Sequence, residues 1–131
     1  MAKIEDYIEE INQDIIFDDF SIKDTQMKLP AIKHKWVGRL ITHKKIISDL
    51  RNEKQQIIDT LTNKLKETSA YKVSTPAAEK ACQSHEDVVA INRKIKDNTL
   101  IVELLEKTEK VLSSMTYDIK NIVELMKLET L

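Results

Sequence analysis

Glycine occurs once, cysteine once and proline twice in this chain of 131 residues. Strands and hairpins usually turn on Gly, Asn-Gly or Asp-Gly, and such turns are nearly missing, which argues against a β fold. Aromatic residues make up only 5%, which is low for a compact monomer. A helix-rich chain so poor in aromatics often completes its core with other subunits. Cys82 has no second cysteine with which to form an internal disulfide, so a reducing compartment is expected. No apolar run approaches the ~18 residues that span a membrane. The N-terminal stretch MAKIEDYIEEINQD is acidic and charged throughout, unlike a signal peptide. Together these point to a cytoplasmic protein with no membrane partner.

What is present favours long helices. Hydrophobic residues make up 41% and charged residues 33%. The length suits one domain, residues 1–131. The formal net charge is -1, but this hides a strong polarity. Residues 1–20 carry one Lys and seven acids, net -6. Residues 21–66 carry eleven basic residues and four acids, net +7. Residues 67–131 carry nine basic residues and eleven acids, net -2. Such asymmetry fits either a local anion-binding surface or a solvated helix face.

Ile4, Tyr7, Ile8, Ile11 and Ile15 recur at helical spacing and predict a short amphipathic helix over about 3–13, within an acidic segment 1–22. DIIFDDFSIKD breaks that period, and Phe17, Phe20 and Ile22 are expected to tuck the turn against a neighbour. A basic helix over 23–67 comes next. It opens near Lys28–Ala31 with Pro30 in its first turn, or earlier near Lys23 with Pro30 as a kink. Trp36, Leu40, His43, Ile47, Leu50, Lys54, Ile57 and Leu61 step by four and three, a heptad seam. His43 can fix register there, and Lys54 is expected to snorkel or to face a wet lumen. Gly38, which costs ~1 kcal/mol relative to Ala, marks either a close backbone approach or a weakened helix.

The connection is placed at 68–84. Within it Thr75-Pro76 reads as an N-cap and first helical residue of a short helix, and Ser84-x-x-Asp87 as a capping box for the next. The last helix, 85–131, has a heptad through Val88, Ile91, Ile95, Asn98, Val102, Leu105, Glu109, Leu112, Thr116, Ile119, Val123 and Met126. A second apolar row holds Ile101, Leu104, Val111, Met115, Ile122 and Leu125. Two apolar faces need two coverings. One is expected to pack on the basic helix of the same chain. The other is expected to hold a homo-oligomer, through Leu104, Val111, Met115, Ile119, Ile122, Leu125 and Met126.

No sequence element marks an enzyme. One glycine cannot build a phosphate loop, and His34, His43 and His85 lack the spacing of a metal site. Cys82 and His85 form only a lone i, i+3 pair. No catalytic residue, cofactor or metal is expected. At 100° per residue, Lys28, Lys35, Arg39 and Lys64 line one flank of the basic helix's seam. Lys33, Lys44 and Arg51 line the other, and Lys45 points farther out. These flanks either track a phosphate backbone or pair with acids such as Glu103 and Glu106. Trp36 lies on the apolar seam, where it packs in the core or serves as a stacking platform.

The order of elements carries a resemblance. An acidic helix precedes IIFDDF. Then come KLPAIKHKW, a basic helix with the pair Lys44-Lys45, a connection, and a long helix ending DIKNIVELMK. This resembles the UvsY family, recombination mediators of T-even-like phages. The resemblance implies ring-shaped homo-oligomers, hexamers or heptamers, that bind single-stranded DNA in the infected bacterial cytoplasm. It implies contacts with a RecA-like recombinase and with the phage single-strand-binding protein, whose DNA the recombinase is loaded onto. It also implies DNA binding by the basic helix and oligomerisation by the last. Lys35, Lys44 and Lys45 match basic residues of the family's helix. The family's Lys-x-Arg pair has its nearest equivalent in Lys64-x-Lys66, since an ungapped match puts Asp59 and Leu61 there. The family's Gly-containing connection and Arg-Gly read ETSAYKVSTP and SSMTYD here, which predicts a continuous last helix. The expected nucleic-acid-binding set is Lys28, Lys35, Arg39, Lys44, Lys45, Arg51, Lys64 and Lys66. The other reading is a coiled-coil scaffold or adaptor without a nucleic-acid role.

Overall fold

The computed structural model describes residues 3–69 and 72–130. Those residues form four helices in the order α1 (Ile4–Ile15), α2 (Ile22–Thr68), α3 (Thr75–Cys82) and α4 (Glu86–Glu129). The fold is all-α, as the missing turn residues require. Two compact units make up the chain. The first comprises residues to Thr42 and from Leu100 onward, the second His43–Thr99.

In the first unit, α1 and the parts of α2 and α4 that belong to it bury Ile11, Ile22, Leu29, Trp36, Leu40, Leu105, Leu112, Met115 and Ile119. Lys33 donates to Thr116 Oγ1 at 2.9 Å, and Ile22 and Lys23 share a hollow with Val123 and Met126. Rising numbers on α2 thus meet falling numbers on α4, an antiparallel pair. The entry to α2 explains why it starts at Ile22 rather than near Lys28. Asp18 Oδ1 accepts from Phe20 N–H and Ser21 N–H at 3.0 Å, and Ser21 Oγ accepts from Asp18 N–H at 2.9 Å. This reciprocal cap fixes the turn. Pro30 therefore lies inside the helix, at a cost of about 3 kcal/mol. Burial of Ile22 and Leu29, about 1.5–3 kcal/mol each, offsets it. Phe20, expected against a neighbour, is 99% exposed at the tip of the turn.

In the second unit, His43 Nδ1 lies 2.9 Å from Asn98 Oδ1 and Thr62 Oγ1 lies 3.9 Å from Cys82 Sγ. Here too rising numbers on α2 meet falling numbers later in the chain. The expected seam holds through Ile47 and then slips by one residue. Ile58 and Thr62 are buried, whereas Leu50, Lys54, Ile57 and Leu61 are only partly covered. The step from Ile47 to Ile58 is eleven residues, nearer the true helical period than three and a half per turn. The buried face of α3, Ala78 and Cys82, lies with Thr62 and reinforces the slip. On α4 the seam runs through Thr108 and Met115, and the expected Glu109 and Thr116 are exposed. Burying the Glu109 carboxylate costs far more than burying Thr108, whose hydroxyl donates to Leu104 O at 2.8 Å.

The connection holds a helix, and its cap lies one residue earlier than expected. Ser74 Oγ accepts from Ala77 N–H at 3.3 Å, so Thr75 opens α3 and Pro76 sits second. Ala70 and Tyr71 of the connection lie outside the described residues. Ser84 does not cap α4: its hydroxyl donates to Ala81 O at 3.3 Å, and His85 Nδ1 accepts from Asp87 N–H at 3.1 Å. The last helix is continuous through SSMTYD. Among the described residues no helix is long and apolar enough to cross a membrane.

Candidate nucleic-acid interface

Helix α1 places Tyr7, Glu10, Ile11 and Asp14 on one face, since residues three, four and seven apart line up. That face meets Lys35, Trp36 and Arg39 on α2. The Asp14 carboxylate accepts from Lys35 Nζ at 2.6 Å and from Trp36 Nε1 at 2.7 Å. Glu10 engages the Arg39 guanidinium through both of its oxygens. Arg39 also lies 4.7 Å from the centre of the Trp36 ring and 5.1 Å from that of Tyr7. Lys35 Nζ lies 5.0 Å from the Trp36 ring centre. Tyr7 meets Trp36 edge to face, 5.6 Å between centroids. Trp36 is 1% exposed, so in this arrangement it is a core residue with a satisfied N–H.

This pairing is what sequence reasoning missed. One of the two readings of the basic flanks pairs them with acids of the last helix such as Glu103 and Glu106. The pairs at Lys35 and Arg39 instead come from α1. A signal was present: Glu10 and Asp14 are spaced i, i+4, and so are Lys35 and Arg39. Two rows of opposite charge with one spacing can meet side by side. The two flanks of the seam are real, because Lys33 reaches α4 while Lys35 and Arg39 reach α1.

The remaining cations of the expected set divide between the units. Lys28 is exposed in the first. Lys44, Lys45, Arg51, Lys64 and Lys66 are exposed in the second, where Lys66 Nζ donates to Thr75 Oγ1 at 2.7 Å. Ten basic and fourteen acidic residues give the first unit net -4. Eleven basic and eight acidic residues give the second net +3. The positive excess therefore resides in the second unit once α1 is folded onto α2. A hollow of about 420 Å³ there is lined by Lys64, Leu61, Leu65, Cys82 and His85 among others.

The expected oligomer residues also divide. Met115 and Ile119 are buried within the first unit. Val111, Leu125 and Met126 stand 45%, 59% and 39% exposed, and Leu104 and Ile122 are half-buried. Among the described residues no three His, Cys, Asp or Glu side chains gather as a metal site would need.

Comparison with known proteins supplies a context for this arrangement. A search of curated proteins finds no match. A crystal structure of the bacteriophage T4 recombination mediator protein UvsY matches with a TM-score of 0.84 at 15% identity, covering 98% of this chain and 99% of that one. A second crystal form of the T4 protein matches with the same TM-score at 14% identity, over 99% of both chains. At such identity the likeness establishes the fold. The family model described as "Recombination, repair and ssDNA binding protein UvsY" matches residues 10–130, from Glu10 on α1 past the end of α4, and the chain belongs to the UvsY family.

Proposed function

We propose that this protein is a recombination mediator that binds single-stranded DNA and helps load a RecA-like recombinase onto DNA covered by a phage single-strand-binding protein. The observation that carries the reading is membership of a family of recombination, repair and single-stranded-DNA-binding proteins over nearly the whole chain. Charge supports it. Phosphate contacts are electrostatic and indifferent to sequence, and a net positive unit with exposed Lys44, Lys45, Arg51 and Lys64 offers them. The same set includes Lys28, Lys66 and, with α1 withdrawn, Lys35 and Arg39. Assembly as a hexamer or heptamer, through Leu104, Val111, Ile122, Leu125 and Met126, would multiply weak contacts along one strand.

Anisotropy with a labelled single-stranded oligonucleotide at about 50 mM and at raised salt tests the DNA step. Binding that weakens with salt is expected. Replacing Lys44, Lys45 and Arg51 by Ala should reduce the slope of log K against log salt by about 2, at ~0.7 per phosphate contact. No binding at the lower salt, by a protein that keeps its assembly and its protein partners, would instead favour a scaffold.

A further inference from the structure

Helix α1 offers to α2 the chemistry of a nucleic-acid strand. Two carboxylates sit on Lys35 and Arg39, and an aromatic ring sits against Trp36. Phosphates seek the same two cations, and a base seeks the indole ring over which those cations lie. Glu10 and Asp14 are four residues apart on one face, about 6 Å along the helix.

The docking of α1 is also of a kind that a polyanion can contest. Only Ile11 among its twelve residues is buried. Ile4, Tyr7 and Ile15 are half-covered, and ion pairs and ring contacts to Lys35, Trp36 and Arg39 supply the rest of its hold. Lys35 and Arg39 retain about a third of their side-chain exposure, 34% and 32%, Glu10 retains 38% and Asp14 18%. Partly exposed pairs of this kind are individually weak. The chain has one tryptophan, and it lies beneath α1.

We propose that Lys35, Trp36 and Arg39 form a latent single-strand subsite that α1 occupies in this structure. A single strand reaches it by displacing Glu10, Asp14 and Tyr7. Its phosphates then take Lys35 and Arg39, and a base stacks on Trp36. This rests on the reading that the chain binds single-stranded DNA, and it names how that binding is restrained.

The test uses the full chain, an oligo-dT probe and two readouts, anisotropy and the fluorescence of Trp36. E10Q/D14N removes both carboxylates from the contact. E5Q/E9Q removes the same charge from exposed positions of α1 and controls for long-range electrostatics. E10Q/D14N should bind about fivefold tighter or better, the low end of what one stacked base contributes, with DNA-dependent quenching of Trp36. E5Q/E9Q should show neither effect beyond a small gain. Adding K35A/R39A to E10Q/D14N should abolish the gain. Helix content by circular dichroism checks folding, and E10Q alone, which leaves Asp14 on the indole, carries the same test at smaller amplitude. An equal gain in E5Q/E9Q, or no gain and no quenching in a folded E10Q/D14N that binds through the second unit, overturns the latent subsite and leaves the mediator reading standing. Absence of binding by all these proteins overturns both.

Discussion

Gly38 lies within the 47-residue α2, with no atom within 4 Å of the place a Cβ would occupy. Among the described residues there is therefore no close backbone approach at Gly38, which leaves the other reading, a helix-weakening residue. Thr42 Oγ1 donates to its carbonyl at 2.9 Å, which adds a second acceptor load at the same turn. Gly38→Ala should stabilise the chain by about 1 kcal/mol, read as a raised urea midpoint at unchanged m. A loss of stability would mean that another subunit's backbone presses on this point. Asp14 teaches the opposite lesson. One carboxylate accepts from Lys35 and from Trp36, and only the matching i, i+4 spacing of Glu10/Asp14 and Lys35/Arg39 hints at it. Residue roles set by spacing along one helix were legible. Those set by a helix arriving from elsewhere were not.

Between elements, the seam of the second unit holds a polar pair. Asn98 Nδ2 donates to Lys94 O at 2.9 Å, which turns Oδ1 toward His43 and makes Nδ1 the donor of the 2.9 Å bond. Both side chains are almost wholly buried, 3% and 1% exposed. A pair of this kind adds little net stability but penalises any sliding of α2 against α4, because a slip leaves both groups buried without each other. Asn98→Ala should cost about 1–3 kcal/mol in denaturant unfolding, since His43 Nδ1 loses its acceptor. Replacing His43 and Asn98 together by Leu should recover much of that loss. A double variant no better than the single would show that the pair contributes stability as well as register. The heptad count found both residues on the seam without knowing that they meet. It failed farther along α2, where α3 covers Thr62. Periodicity registers which residues are apolar, whereas a short helix of eight residues changes which face is covered.

For the whole molecule, the two apolar rows of α4 have different fates. Leu105, Leu112 and Ile119 of the first row close the first unit, joined by Met115 of the second. In the second row Ile101 and Met115 are buried, whereas Leu104, Val111, Ile122 and Leu125 are left half-covered or open, with Lys107, Ser114 and Asp118 between them. A truncation after Leu112 would remove Met115 and Ile119 from the core, so it cannot separate assembly from folding. Val111→Asp with Leu125→Asp can, because both side chains are exposed and neither closes the unit. Helix content should persist while light scattering shows the mass falling toward the 15.2 kDa of one chain. Single-strand affinity should fall with it by about tenfold or more, beyond the loss from any one lysine, because linked sites act as an effective concentration. The ranking separates two architectures. If mass stays unchanged, assembly uses another surface, and the 99% exposed Phe20 on its capped turn becomes the next position to charge. If mass falls but affinity holds, each chain grips the strand alone, and the net +3 of the second unit suffices without a ring.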